Sequence, residues 1–297
     1  MASKYMLIAD DVFDVSPGAK ARSEMVRQYG LSLAEKLNAP VRLLYVQNPL
    51  DITMKNSERT RIHNTLEKIR QSSKKIQVIE AFGNPVDEIF RLETSSPQPG
   101  LVVMGTQGKK GLERFFLGSV AEEVVRNAVV PVMVIGPKVT KAPNGKGKIL
   151  LATDLTTNSR RAEAYAKKLA KVLNLEVVFI YSSLESLRIA DQYAAASGTA
   201  FMDQSTIDTL HAKSKQALLK KVNGFKADGV KCSFKMDSHQ PTSQAAIATE
   251  SASGNYQYLV MGTHGRSSFV KAFLGSTARE TIMSSAVPTI VIRSHNK

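Results

Sequence analysis

The sequence predicts an α/β protein built twice over, each half a parallel sheet covered by helices on both faces. Three observations support that prediction. One phrase occurs twice: VMGTQGKKGLERFFLGSV, from Val103 to Val120, returns as VMGTHGRSSFVKAFLGST, from Val260 to Thr277. Short apolar runs alternate with stretches whose apolar residues recur at three- and four-residue spacing, the pattern of buried strand and amphipathic helix. Strands and helices that alternate through short turns assemble into a parallel sheet with right-handed crossovers.

The elements follow one order in both halves. Each half opens with an apolar run ending in aspartate, YMLIAD at Asp10 and KILLATD at Asp154. A helix comes next, ARSEMVRQYGLSLAEKLN or SRRAEAYAKKLAKVLN, and both stop at an asparagine. The second strands, PVRLLYV to Val46 and EVVFIYS to Ser182, are rich in the branched and aromatic residues that suit a buried strand. Helix, strand (IQVIEAF, VKCSFKM), helix and strand (LVVMG, YLVMG) follow, then a helix and a closing strand, PVMVI or PTIVI. Between the halves, the Pro, Gly and Lys content of GPKVTKAPNGKGK, residues 136–148, reads as an exposed linker. Domains are therefore expected at 1–142 and 143–297. Asp10 to Gly105 is 95 positions and Asp154 to Gly262 is 108, so the second half has 13 more residues, expected in SSLESLRIADQYAAASGTAFMDQ after its second strand.

Composition bounds the class. The 297 residues, 43% of them hydrophobic, suffice for two ordinary cores. MASKYMLIADD has no signal-peptide character, and no apolar span approaches the ~20 residues a membrane helix needs, so a cytoplasmic location is expected and a membrane partner is not. Cys232 is the single cysteine, which excludes an internal disulfide; in VKCSF it reads as a core strand residue. No histidine stands at metal-ligand spacing from it. The net charge of +14 divides as +5 for residues 1–142 (20 basic, 15 acidic) and +9 for 143–297 (20 basic, 11 acidic). That balance attracts polyanions without choosing among them. A nucleic-acid reader is disfavoured, because the chain has no Trp and only 6% aromatic residues to interleave with its cations.

The repeated phrase reads as an anion site. Both copies keep Gly, two residues, Gly, nine residues, Gly-Ser: Gly105, Gly108, Gly118, Ser119 and Gly262, Gly265, Gly275, Ser276. Glycines let backbone N–H groups close on an anion, and a Ser N-cap opens the following helix with its positive dipole end beside it. Phosphate is the natural guest. Ser119 and Glu122 also have capping-box spacing, whereas the second copy has Arg279 at that place. Asp10 and Asp154, at the carboxyl ends of first strands, suit ribose hydroxyls or an adenine amino group.

The segments VMGTQGKKGLERFFLGSVAEEVVRNAVVPVMVI and VMGTHGRSSFVKAFLGSTARETIMSSAVPTIVI each resemble the carboxyl-terminal signature of the universal stress protein family, in its ATP-binding subgroup, so the chain resembles a tandem member. The resemblance implies two Rossmann-like domains, each with a five-stranded parallel sheet, and adenine nucleotide as ligand. Asp10 and Asp154 would hold ribose or adenine, and Val46 would line the adenine pocket. Met104 and Met261 would flank the base. Gly105, Gly108, Gly118, Ser119 and Val120, with Gly262, Gly265, Gly275, Ser276 and Thr277, would surround ribose and phosphates. Mg2+ would accompany the phosphates, with no dedicated carboxylate cage. Departures fall mostly in the second half: Ser182 replaces a branched apolar residue, and the turn clear in Gly83-Asn84-Pro85 is blurred to DSHQPTS. Gln107 stands where the second half keeps His264. The family's closing strand pairs with its equivalent on a partner, which implies an intrachain pseudo-dimer of PVMVI with PTIVI and leaves other surfaces for a homodimer.

Neither the P-loop pattern nor the Gly-x-Ser-x-Gly elbow occurs, and no catalytic residue is assigned. The expected role is a nucleotide-gated stress-response regulator acting through a protein partner. The rival readings are a slow ATP hydrolase and a polyanion-binding stress protein.

Overall fold

A computed structural model describes residues 4–12, 17–47, 55–72, 75–106, 117–185, 187–188, 203–263 and 274–294. The first half contains β1 (Met6–Ala9), α1 (Pro17–Lys36), β2 (Val41–Gln47), α2 (Asn56–Ser72), β3 (Ile76–Phe82), α3 (Pro85–Thr94), β4 (Leu101–Gly105), α4 (Ser119–Asn127) and β5 (Val132–Ile135). The second contains β6 (Lys148–Ala152), a 3-10 turn (Thr157–Ser159), α5 (Arg160–Leu173), β7 (Val177–Ser182), α6 (Gln204–Ala227), β8 (Cys232–Asp237), α7 (Ser243–Ser251), β9 (Tyr256–Gly262), α8 (Ser276–Ser284) and β10 (Thr289–Ile292).

The two expected sheets are one. Strand order is β3-β2-β1-β4-β5-β10-β9-β6-β7-β8, and every neighbouring pair is parallel except β5 with β10. There Thr289 lies opposite Val134, Ile290 opposite Met133 and Val291 opposite Val132, so PVMVI and PTIVI pair antiparallel within the chain. Each closing strand thus covers the edge the other would leave open. Side chains alternate between faces as a pleated strand requires. Ile8, Leu43, Phe179, Tyr258 and Ile290 pack against Leu33, Leu66, Leu169 and Leu218 of α1, α2, α5 and α6. On the opposite face, Leu7, Val102, Val134 and Val291 share one cluster with Val124 of α4 and Ile282 of α8, so this core runs through the joint between halves.

Both asparagine stops are left-handed caps, Asn38 at φ 47° and Asn174 at φ 51°, a conformation asparagine tolerates better than most residues. These caps and the strand registers superpose the halves residue by residue. The net length difference is dominated by two larger differences of opposite sign. Val46 to Ile76 is 30 positions against 50 from Ser182 to Cys232, while Ala9 to Asn38 is 29 against 22 from Ala152 to Asn174. The linker also differs from expectation. Val139 is buried, and the Tyr29 hydroxyl donates to the Lys141 carbonyl at 2.9 Å, so its first part is docked on α1. Cys232 is buried in β8, and burial, followed by the nearby Glu176 carboxylate, pushes its thiol up to about 12.

Candidate functional site

In each half the chain winds outward from the first strand in one direction and then returns to add strands on its other side. The crevice at such a reversal is where open α/β sheets bind ligands. It lies between the carboxyl ends of β1 and β4, where Ala9 is in register with Met104, and between those of β6 and β9, where Leu151 is in register with Val260. Gly105 and Gly262 end their strands partly exposed, beside the buried Met104 and Met261. The next residues, Thr106 and Thr263, are buried, and their carbonyls accept from Gly118 N–H at 2.7 Å and Gly275 N–H at 3.3 Å. The loop that leaves each crevice is therefore brought back to it. Gly108, Gly265, Gln107 and His264, together with the basic starts of these loops, lie outside the described residues.

The helix starts correct the expected caps. Gly118 and Gly275 are the N-caps, in extended-type conformation (φ −60° and −56°), and neither helix start has a side-chain cap hydrogen bond. Ser119 and Ser276 are first helical residues with exposed side chains, and Val120 and Thr277 follow, half-buried. The Ser119–Glu122 capping box does not form. Glu122 instead pairs with Arg279, its own counterpart in the other half, across the joint. Both helices thus begin at a glycine without a side-chain cap, the kind of helix start that can receive an anion.

The first-strand aspartates need a second correction. Ala9 N-terminal to Asp10 superposes on Ala152 N-terminal to Thr153, since Asp10 N–H donates to the Leu44 carbonyl and Thr153 N–H to the Ile180 carbonyl. Asp11, not Asp10, is the counterpart of Asp154. Both are half-buried. Asp10 is buried beneath α1, accepting from Ser23 Oγ at 2.6 Å and pairing with Arg27. Burial pushes its carboxyl above the usual carboxylate range, against the pull of Arg27 and Ser23. It is a structural ion pair facing away from solvent. The signal for Asp11 is present in Ala-Asp-Asp against Ala-Thr-Asp, where the shared aspartate is the third residue.

Asp154 shapes its own turn, accepting from Thr156 N–H at 3.0 Å and Thr156 Oγ1 at 2.7 Å. Val46 is the penultimate residue of β2, beside the carboxyl end of β1, and half-buried, while its counterpart Ser182 is buried. The turns after the third strands are both well made. Asn84 accepts from Val86 N–H at 2.8 Å, and in DSHQPTS the Asp237 carboxylate accepts from Gln240 N–H at 2.8 Å while Thr242 caps α7. Among the described residues, no cluster of His, Cys, Asp and Glu is placed to hold a metal ion, and no helix is long and apolar enough to cross a membrane.

Comparison with known proteins gives one consistent answer. The model of the universal stress protein family matches residues 20–136 and again 146–293. A universal stress protein of Methanocaldococcus jannaschii is 51% identical over 53 residues, a stretch covering 18% of this chain and 31% of that protein. One from Mycolicibacterium smegmatis is 22% identical over 296 residues, 94% of this chain and 96% of its own. The solved structure of a universal stress protein from Archaeoglobus fulgidus superposes with a TM-score of 0.64 at 20% identity, over 99% of this chain and 100% of that one. A second protein from that organism, solved in complex with dAMP, covers 49% of this chain and 97% of its own at 16% identity and a TM-score of 0.37. With both halves matched by the family model and the fold shared from end to end, the chain belongs to the universal stress protein family.

Proposed function

We propose that each half binds an adenine nucleotide, ATP in the first instance, in its β1/β4 or β6/β9 crevice, and that occupancy sets partner choice in a stress response. The observation that carries this reading is the pair of glycine N-caps. Gly118 and Gly275 each start a helix with no side-chain cap and each donate back to the threonine after the fourth strand. A helix start without its own cap beside a glycine turn suits phosphate, and it is built the same way twice. Asp11 and Asp154 stand at the neighbouring strand ends, where a carboxylate accepts from ribose hydroxyls. Gly105 and Gly262 admit close approach of the sugar. Mg2+ would come with the phosphates, since the described residues supply no acidic cage.

The test has two steps. Purified without added ligand and then denatured, the protein is expected to release up to two adenine nucleotides per chain, counted by chromatography with mass detection. Calorimetric titration with ATP then separates the sites. Asp11→Ala and Asp154→Ala are each expected to weaken one site about tenfold, the scale of a hydrogen bond to a charged group. Asp10→Ala should act on stability instead. Release of none, together with no heat on titration, defeats the reading.

A further inference from the structure

A cavity of about 260 Å³ lies at the joint between the halves, lined by none of the residues of either crevice. Val129, Val130 and Pro131, which lead into β5, line it together with Ile292, Ala164 and Tyr165. Arg161, Lys168 and Arg293 supply its charge. The two guanidinium groups are positioned by carbonyls: Arg161 donates to the Arg293 carbonyl at 3.3 Å, and Arg293 to the Asn127 carbonyl at 2.9 Å. None of the three cations pairs with a carboxylate among the described residues. Each guanidinium has five N–H donors, so most of this capacity faces outward from the bonds just named.

The internal repeat shows that the fold does not require these charges. Superposed through the asparagine caps and closing strands, Arg161, Lys168 and Arg293 fall on Met25, Ser32 and Gly136. In the first half the equivalent space is covered by the linker, with Val139 buried and Lys141 bonded to Tyr29, the counterpart of Tyr165. At the second half's place, among the described residues, Arg161, Lys168 and Arg293 all line the one cavity. Its volume equals that of about nine waters at ~30 Å³ each, room for one ring and a phosphate and less than the ~300 Å³ from which sites for larger ligands start. We propose that this cavity binds a small organic phosphate, a phosphomonoester on a single ring or comparably short apolar body. The phosphate takes the guanidinium forks and the Lys168 ammonium, and the body lies on Val129, Pro131 and Tyr165.

Phenyl phosphate, titrated calorimetrically into the full chain at low ionic strength, is the probe. One site per chain is expected. Lys168→Gln is expected to weaken it about tenfold, and Lys168→Gln with Arg161→Gln about a hundredfold, at the strength of charge-assisted hydrogen bonds. Both side chains are on the exposed face of α5, so an unchanged thermal midpoint checks that the variants fold. Asp11→Ala and Asp154→Ala should leave phenyl phosphate binding intact, which separates this site from the nucleotide crevices. Benzyl alcohol should not bind, and inorganic phosphate should bind more weakly. No binding of phenyl phosphate, or binding indifferent to Lys168 and Arg161, overturns the proposal. Co-sedimentation with phosphatidic acid vesicles in the absence of binding to free phenyl phosphate overturns it in favour of a lipid surface.

Discussion

Arg27 and Glu163 occupy the same place in α1 and α5, four residues after Ser23 and Ser159, yet they carry opposite charges. In the first half Arg27 meets the buried Asp10 with Ser23 between them. In the second, Thr153 takes the place of Asp10, Ser159 donates to Glu163 at 2.7 Å, and Lys221 reaches across from α6 to the same carboxylate at 2.7 Å. Each half satisfies one polar cluster, buried around Asp10 and part-buried around Glu163. Arg27→Met leaves Asp10 buried and unpaired and is expected to cost about 3–5 kcal/mol at neutral pH. The sign of its pH dependence follows from burial. The folded-state pKa of Asp10 is already raised and rises further without Arg27, so its contribution is fully favourable below the unfolded-state value and is lost as pH rises through the folded one. Denaturant midpoints from weakly acidic to neutral pH should therefore show the variant's deficit shrinking as pH falls. A deficit independent of pH would mean the carboxylate does not sense Arg27.

Between neighbouring elements the close approaches are set by backbone rather than by charge. Gly136 follows β5 where α8 passes over it, and a Cβ there would stand 2.2 Å from the Ile282 carbonyl oxygen. Because that neighbour is backbone, Gly136→Ala forces the two halves apart and is expected to cost about 1–3 kcal/mol, as overpacking does. A Cβ on Gly224, within α6, would meet nothing within 4 Å outside its own helix, so Gly224→Ala is expected to stabilise by about 0.5–1 kcal/mol through helix propensity. Urea denaturation of the pair distinguishes steric contact from a general effect of alanine. The same contrast explains what could be read in advance. Strand and helix alternation, the asparagine stops and the pairing of closing strands leave periodic or duplicated marks in the sequence. The choice between Asp10 and Asp11 leaves only one faint mark, the third-position aspartate shared by Ala-Asp-Asp and Ala-Thr-Asp, because within the first half two adjacent acids share one local pattern and parallel register with β2 and β4 sets which one turns under α1. The N-caps shifted by one residue for a like reason: the Gly118 and Gly275 N–H groups are fixed by threonine carbonyls a loop away. The two length differences of opposite sign partly offset each other in a single count.

Across the whole molecule, the joint couples two pseudo-equivalent surfaces that have become complementary. β5 and β10 pair in the sheet, Val124 and Ile282 share one core, Arg293 reaches the Asn127 carbonyl, and Glu122 meets Arg279. In a symmetric pair of first halves, Glu122 would face Glu122; in a pair of second halves, Arg279 would face Arg279. The partly exposed ion pair itself is worth only about 0–1 kcal/mol, so strand pairing and the shared core supply affinity while the charges bias the choice of partner. Residues 1–142 and 143–297 produced separately test both this and the proposed domain boundary. Each alone exposes a closing strand and is expected to self-associate weakly, whereas an equimolar mixture should convert to the mixed pair, resolved by native mass spectrometry. Glu122→Arg in the first piece should shift the mixture back by up to about tenfold, and Arg279→Glu in the second piece should restore it, since the reversed pair is again complementary. Pieces that stay monomeric when mixed would show that the linker, not the sheet joint, holds the halves together. Pieces that pair without regard to these charges would leave specificity to the strands alone.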